Sequence, residues 1–208
     1  MKTQNLFFTL SISLLMSTLG FGQNIAGSDH DFSGETWNPG GEICEVCHTP
    51  HNAVTGLTAP LWNHEVSTAT YTLYTSTVSP SFDATASQPD GTSKLCLSCH
   101  DGTVAMDNFG GKTGGTDFMT GDHLLGTDLS NDHPISFTYD TALATTDGGL
   151  FDPATASSGL GSTIASDLLL ANKVQCSSCH DVHNGSGVAK LLVKSNAGSA
   201  LCLTCHNK

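Results

Sequence analysis

The eight cysteines of this 208-residue chain all fall in pairs, and every pair has the same spacing and the same following residue. The segments are Cys44-Glu-Val-Cys47-His48, Cys96-Leu-Ser-Cys99-His100, Cys176-Ser-Ser-Cys179-His180 and Cys202-Leu-Thr-Cys205-His206. Eight thiolates could make two zinc sites of four sulfurs each. They could form disulfides in an exported protein, or redox dithiols. None of these chemistries asks for a histidine immediately after every pair.

Covalent haem attachment does. Two thiols at this spacing reach the two vinyl groups on one edge of a porphyrin and form thioethers. The next residue then lies under the ring and ligates the iron. The sequence therefore predicts four covalently attached haems c, with His48, His100, His180 and His206 as proximal ligands.

The four motifs are two copies of a pair. The first and third continue to a second histidine and an asparagine, ending at His51, Asn52 and at His183, Asn184. The second and fourth match as L-C-L-x-C-H, starting at Leu95 and Leu201. Each half also carries an upstream Asp-His pair, Asp29 with His30 and Asp132 with His133. Each half thus offers four histidines for two irons, as six-coordinate bis-histidine ligation requires. The predicted distal ligands are His30, His51, His133 and His183. On a helical turn, His51 shares a face with His48, and His183 with His180, so neither pair can clamp one porphyrin. His51 and His183 are expected to reach a haem other than their own. His64 and His123 are weaker distal candidates without a repeat partner, since Lys194 holds the place of His64.

The start of the chain resembles an export signal. A basic Met1-Lys2 precedes an apolar run from Leu6 to about Leu19, and Gly20 and Gly22 suit a cleavage site before Gln23. The run is short for a membrane span. An exported protein without a membrane span after cleavage is expected, periplasmic or extracellular. The organisation predicted is a leader over 1–22, a first two-haem unit over 23–112 and a second over 113–208, forming one module. Only 38% of residues are hydrophobic and 22 are glycine, so porphyrins are expected to complete a thin core. The fold predicted is mostly irregular with short α-helices and little β-structure, centred on haem. Short helices are expected within 162–173 and 189–192, and a loop over 108–132. Trp37, Trp62, Tyr71, Tyr74, Phe82, Phe137 and Tyr139 are expected against haem faces. The net charge of −12 with no arginine excludes a nucleic-acid surface.

These motifs resemble the multihaem c-type cytochromes with doubled C-x-x-C-H motifs. More narrowly, the segments 30–33, 47–52, 60–63, 95–103, 131–137 and 179–184 resemble small tetrahaem cytochromes, including members that polymerise into extracellular conducting filaments. The resemblance spans nearly all of the chain after the leader, and the motifs are shared with monomeric periplasmic carriers. It implies an electron carrier with redox-partner proteins or extracellular acceptors. By the filament resemblance, His51 would ligate a haem of the adjacent subunit. A multihaem oxidoreductase with one open haem, converting nitrite or hydroxylamine, is the alternative. It would need an open axial position and basic groups for an anionic substrate. The histidine count and the seven lysines argue against it.

Overall fold

The computed structural model describes residues 24–207; the expected leader lies outside them. Regular structure among the described residues is sparse. Helices α1 (Gly91–His100), α2 (Thr141–Asp147), α3 (Ile164–Leu168) and α4 (Cys202–Cys205) are joined by long irregular segments and isolated 3-10 turns. Strands β1 (Phe137–Thr138) and β2 (Lys173–Val174) pair antiparallel, with Phe137 opposite Val174. This is the irregular, helix-poor fold that the glycine-rich, weakly apolar sequence predicts.

Local chemistry sets the element ends. The Asp140 carboxylate caps α2 by accepting from the Leu143 amide at 2.9 Å. The helix stops at Gly148, whose φ of 68° gives the left-handed C-cap. The helix expected within 162–173 is confined to α3. Beyond it Ala171 and Asn172 take φ of 52° and 60°, turning the chain back into β2. Over 189–192 only a 3-10 turn forms, because Lys190 and Leu191 also take positive φ. Within 108–132 the one helical turn is Gly121–His123. The acidic residues at the start of this loop are spent internally. Asp107 pairs with Lys112 and accepts from the Asp117 amide. A Cβ on Gly115 would meet Asp107 Oδ1 at 2.1 Å, so only glycine fits there.

The protein core is thin. One cluster gathers Phe137, Tyr139, Ala144, Ile164, Leu168 and Val174; a second is Tyr71, Leu97 and Leu129. Helix α1 joins the two halves through polar contacts. Ser93 Oγ accepts from the Cys176 amide at 2.9 Å, and the Thr92 and Ser177 hydroxyls meet at 2.7 Å. Asp90 pairs with Lys173 and accepts from Gln175 Nε2 at 2.7 Å. These contacts explain why α1 buries Ser93 as fully as Leu97, and Ser98 is satisfied in its turn by accepting from the Ser67 amide at 3.0 Å.

The duplication is visible in the backbone. The Thr49 amide donates to Leu61 O at 2.9 Å and the Asp181 amide to Leu191 O at 2.7 Å. The Asn63 amide donates to Cys47 O at 3.0 Å and the Val193 amide to Cys179 O at 2.9 Å. Asn52 and Asn184 share φ of 57° and 55°, and Leu61 and Leu191 share 55° and 54°. Left-handed leucine is costly, so its recurrence at matched positions marks a common local design.

Burial raises the Asp90 carboxyl, but the bonds from Lys173 and Gln175 outweigh it and hold the group below the usual carboxylate range. Its contribution is therefore full above the unfolded-state value of about 3.9 and is lost as the pH falls through the lower folded value. Asp90→Ala is expected to lower stability at neutral pH by about 1–2 kcal/mol. It should also flatten the acid limb of the stability curve, read by chemical denaturation at several pH values. An unchanged midpoint would remove Asp90 from the junction.

Candidate haem sites

Each C-x-x-C-H segment closes one helical turn. The His48 amide donates to Cys44 O at 2.8 Å, His180 to Cys176 O at 3.0 Å and His206 to Cys202 O at 3.0 Å. Cys96, Cys99 and His100 end α1. Such a turn places both sulfurs and the imidazole together. The turn at His100 is anchored by the buried Asp101 carboxylate. It accepts from Tyr71 Oη at 2.6 Å, Thr103 N at 2.7 Å and the Ser67 hydroxyl. Burial and this bond push the Tyr71 phenol up to about 12.

Backbone carbonyls set the imidazole tautomers. His48 Nδ1 lies 2.9 Å from Pro60 O, His100 Nδ1 2.8 Å from His123 O, and His180 Nδ1 2.9 Å from Lys190 O. A carbonyl only accepts, so Nδ1 carries the hydrogen and Nε2 keeps its lone pair for a metal. His133 is held the same way by Pro134 O at 3.0 Å. Sequence reasoning missed these carbonyls. The signal that would have found two of them is the repeat itself, which aligns Pro60-Leu61 with Lys190-Leu191.

Three proximal imidazoles face a second imidazole. His48 and His183 have ring centres 6.2 Å apart, His100 and His30 6.1 Å, and His206 and His133 6.3 Å. Two imidazoles holding one iron between them would have ring centres about 6.2 Å apart, from about 2.0 Å per metal–nitrogen bond and about 1.1 Å from nitrogen to ring centre. The three spacings fit that arrangement. The half-buried His30 suits a ligand, because burial, followed by the His100 imidazole, pushes it down to about 4 and keeps it neutral.

The remaining histidines are placed differently. His180 is exposed and, among the described residues, joins no such pair. His51 is exposed on the loop after the first motif and, among the described residues, faces no proximal imidazole. His64 is 1% exposed, with Nδ1 2.7 Å from Glu65 O and Nε2 3.1 Å from Ala105 O. A neutral ring donates to one of these carbonyls only, and Nε2 also lies 3.6 Å from Cys99 Sγ. His123 is exposed and enters through its carbonyl, which holds His100.

The surroundings also suit haem. A cavity of about 330 Å³ between Phe82, Phe137, Leu143 and Leu168 opens onto Cys202, Cys205, His206 and His133. A second, of about 170 Å³, lies between Leu97, Leu129 and Ile135 and reaches Cys176, Cys179 and His180. The Trp62 ring stands edge-on to His48 at 6.4 Å, and its buried indole N–H has no acceptor among the described residues. Successive motifs adjoin. Cys99 is pushed up to about 12, by burial first and then by nearby Cys47. The Cys96 and Cys176 thiols adjoin, and their interaction raises Cys96 and lowers Cys176. Cys179 is raised by burial and by Cys202, and Cys205 to about 11 by burial and Cys179. Four motifs of this type indicate covalent binding of haem c.

The family described as the doubled CXXCH motif matches residues 170–208, which hold the third and fourth motifs. That likeness agrees with a multihaem c-type cytochrome. The chain has no match among curated proteins.

His64→Ala is expected to leave the low-spin absorption spectrum of the holoprotein unchanged. It should cost about 2–4 kcal/mol of stability, through the cavity and one lost buried hydrogen bond. A new high-spin band in this variant would place His64 on an iron.

Proposed function

We propose that the chain binds four haems c and carries electrons among them as an exported tetrahaem cytochrome. The observation that carries this reading is the set of three imidazole pairs at the separation one iron needs. Haem iron supplies one-electron chemistry by alternating between ferrous and ferric states. The chain's own residues do the rest. Cys44, Cys47, Cys96, Cys99, Cys176, Cys179, Cys202 and Cys205 tether the groups. His48 with His183, His100 with His30, and His206 with His133 would ligate three of the irons, each with two imidazoles. Closed positions favour electron transfer over substrate chemistry. The neighbouring cysteines, Cys47 with Cys99, Cys96 with Cys176 and Cys179 with Cys202, support attachment points that adjoin from each motif to the next. Haem c is attached outside the cytoplasmic membrane, which fits the leader-like start. Among the described residues no helix is long and apolar enough to cross a membrane.

A second reading is favoured by the unmatched histidines. His180 lacks an opposing imidazole while His51 is exposed. In this reading the copies self-associate, and His51 of one copy ligates the iron held by His180 of another. The arrangement repeats the relation inside the chain, where His183 of the third motif reaches His48 of the first.

Intact-mass spectrometry of the exported holoprotein is expected to show four haem additions and loss of the leader. Electron paramagnetic resonance should show low-spin haem, and His183→Ala should convert one haem per chain to a high-spin, carbon-monoxide-binding form. A fully low-spin His183→Ala protein would sink the assignment. His51→Ala is expected to leave the other three haems low-spin and to abolish self-association. Assembly that survives this substitution would overturn inter-copy ligation.

A further inference from the structure

Inside the chain, α1 and the third motif make a junction whose two faces each have a repeat counterpart. On one side are Thr92, Ser93, Cys96 and Leu97; on the other are Gln175, Cys176 and Ser177. Shifting by the repeat, the first set corresponds to Gly198, Ser199, Cys202 and Leu203, and the second to Ile43, Cys44 and Glu45. The internal faces are covered: Leu97 is 0% exposed beneath Tyr71 and Leu129, and Cys96 contacts Cys176. The counterparts are open: Leu203 is 45% exposed and residues 195–200 are exposed throughout. The second half has no equivalent of the insertion that carries Tyr71, so nothing in the chain's own repeat covers Leu203. One end of the motif series therefore presents the α1-type face and the other end presents the face that fits it.

We infer that the exposed 197–203 face is a docking surface for a second copy of this chain, which seats its 43–45 segment there and so repeats the α1–third-motif junction between molecules. The inference rests on the self-association reading and gives it a contact surface. His51 follows Cys44 at the spacing with which His183 follows Cys176. A copy docked in this register therefore directs His51 toward His180, as His183 is directed toward His48. The match is not complete. Asp90, Lys173 and Gln175 of the internal junction become Asn196, Gly41 and Ile43. The ion pair is lost and an apolar side chain enters, so the outer junction gains more from burying Ile43 and Leu203 than from charge. Head-to-tail contacts of this kind do not close on themselves and propagate as open chains.

The test uses exported holoprotein. A diazirine amino acid placed at position 197 is irradiated, and the cross-linked peptides are mapped. In parallel, sedimentation velocity compares the wild type with Leu203→Asp over a range of concentrations. The expected result is a cross-link to the peptide containing residues 43–45, and association at least tenfold weaker in Leu203→Asp. Four covalent haems, with the three held by imidazole pairs inside the chain still low-spin, check that the variant has folded. If the wild type assembles but the cross-link maps elsewhere or is absent, or a folded Leu203→Asp assembles normally, this surface is wrong and the self-association reading stands. If the wild type stays monomeric at every concentration, both fall.

Discussion

A hydrogen bond from imidazole Nδ1 to a backbone carbonyl is the interaction on which the candidate sites depend. It fixes the ring plane, the tautomer and the direction of Nε2 for His48, His100 and His180. The cysteines could hold a porphyrin without it, but the iron would then meet a freely rotating ring. Each carbonyl belongs to a segment distant in sequence from its motif, Pro60 for His48 and His123 for His100. The irregular loops are therefore the supports of the sites and not mere connections. This accounts for the left-handed Leu61 and Leu191: the chain accepts local backbone strain to turn the preceding carbonyl toward the imidazole.

What the sequence made legible follows from where the chemistry is local. Cys-x-x-Cys-His is a spacing rule, so its eight thiols and four histidines were evident before any coordinates. The sparse secondary structure was evident too, because glycine, threonine and a low apolar content leave few other outcomes. The helices themselves were less so. Helix α1 begins Gly91-Thr92-Ser93 and owes its stability to Gln175 and Cys176 far along the chain. The segment 162–173 has helical composition but reverses at Ala171 and Asn172 to pair as β2. Tertiary demand overrode local preference in both. Similarly, the repeat narrowed the choice of second histidines but could not say that His183 faces His48 while His51 faces outward. That difference depends on which repeat has a neighbour, which is a property of the assembled fold.

The two halves share a frame and differ in how it is filled. His64 and Lys194 occupy matching positions after Leu61 and Leu191. The imidazole is held between Glu65 O and Ala105 O, while the Lys194 ammonium reaches Ser158 O and Thr204 Oγ1. Each brings a nitrogen donor to a buried oxygen beside the next motif, the imidazole to one carbonyl and the ammonium to two oxygens. The first half adds an insertion that covers Leu97, and the second leaves Leu203 bare.

The contact between Cys96 and Cys176 bears on the order of events in making this protein. These thiols belong to different motifs and meet at the junction between α1 and the third motif. Each sulfur is only partly exposed there, so a porphyrin edge reaches both more readily before the junction packs than after. The order this favours is attachment first, with the polypeptide closing around groups that it already carries.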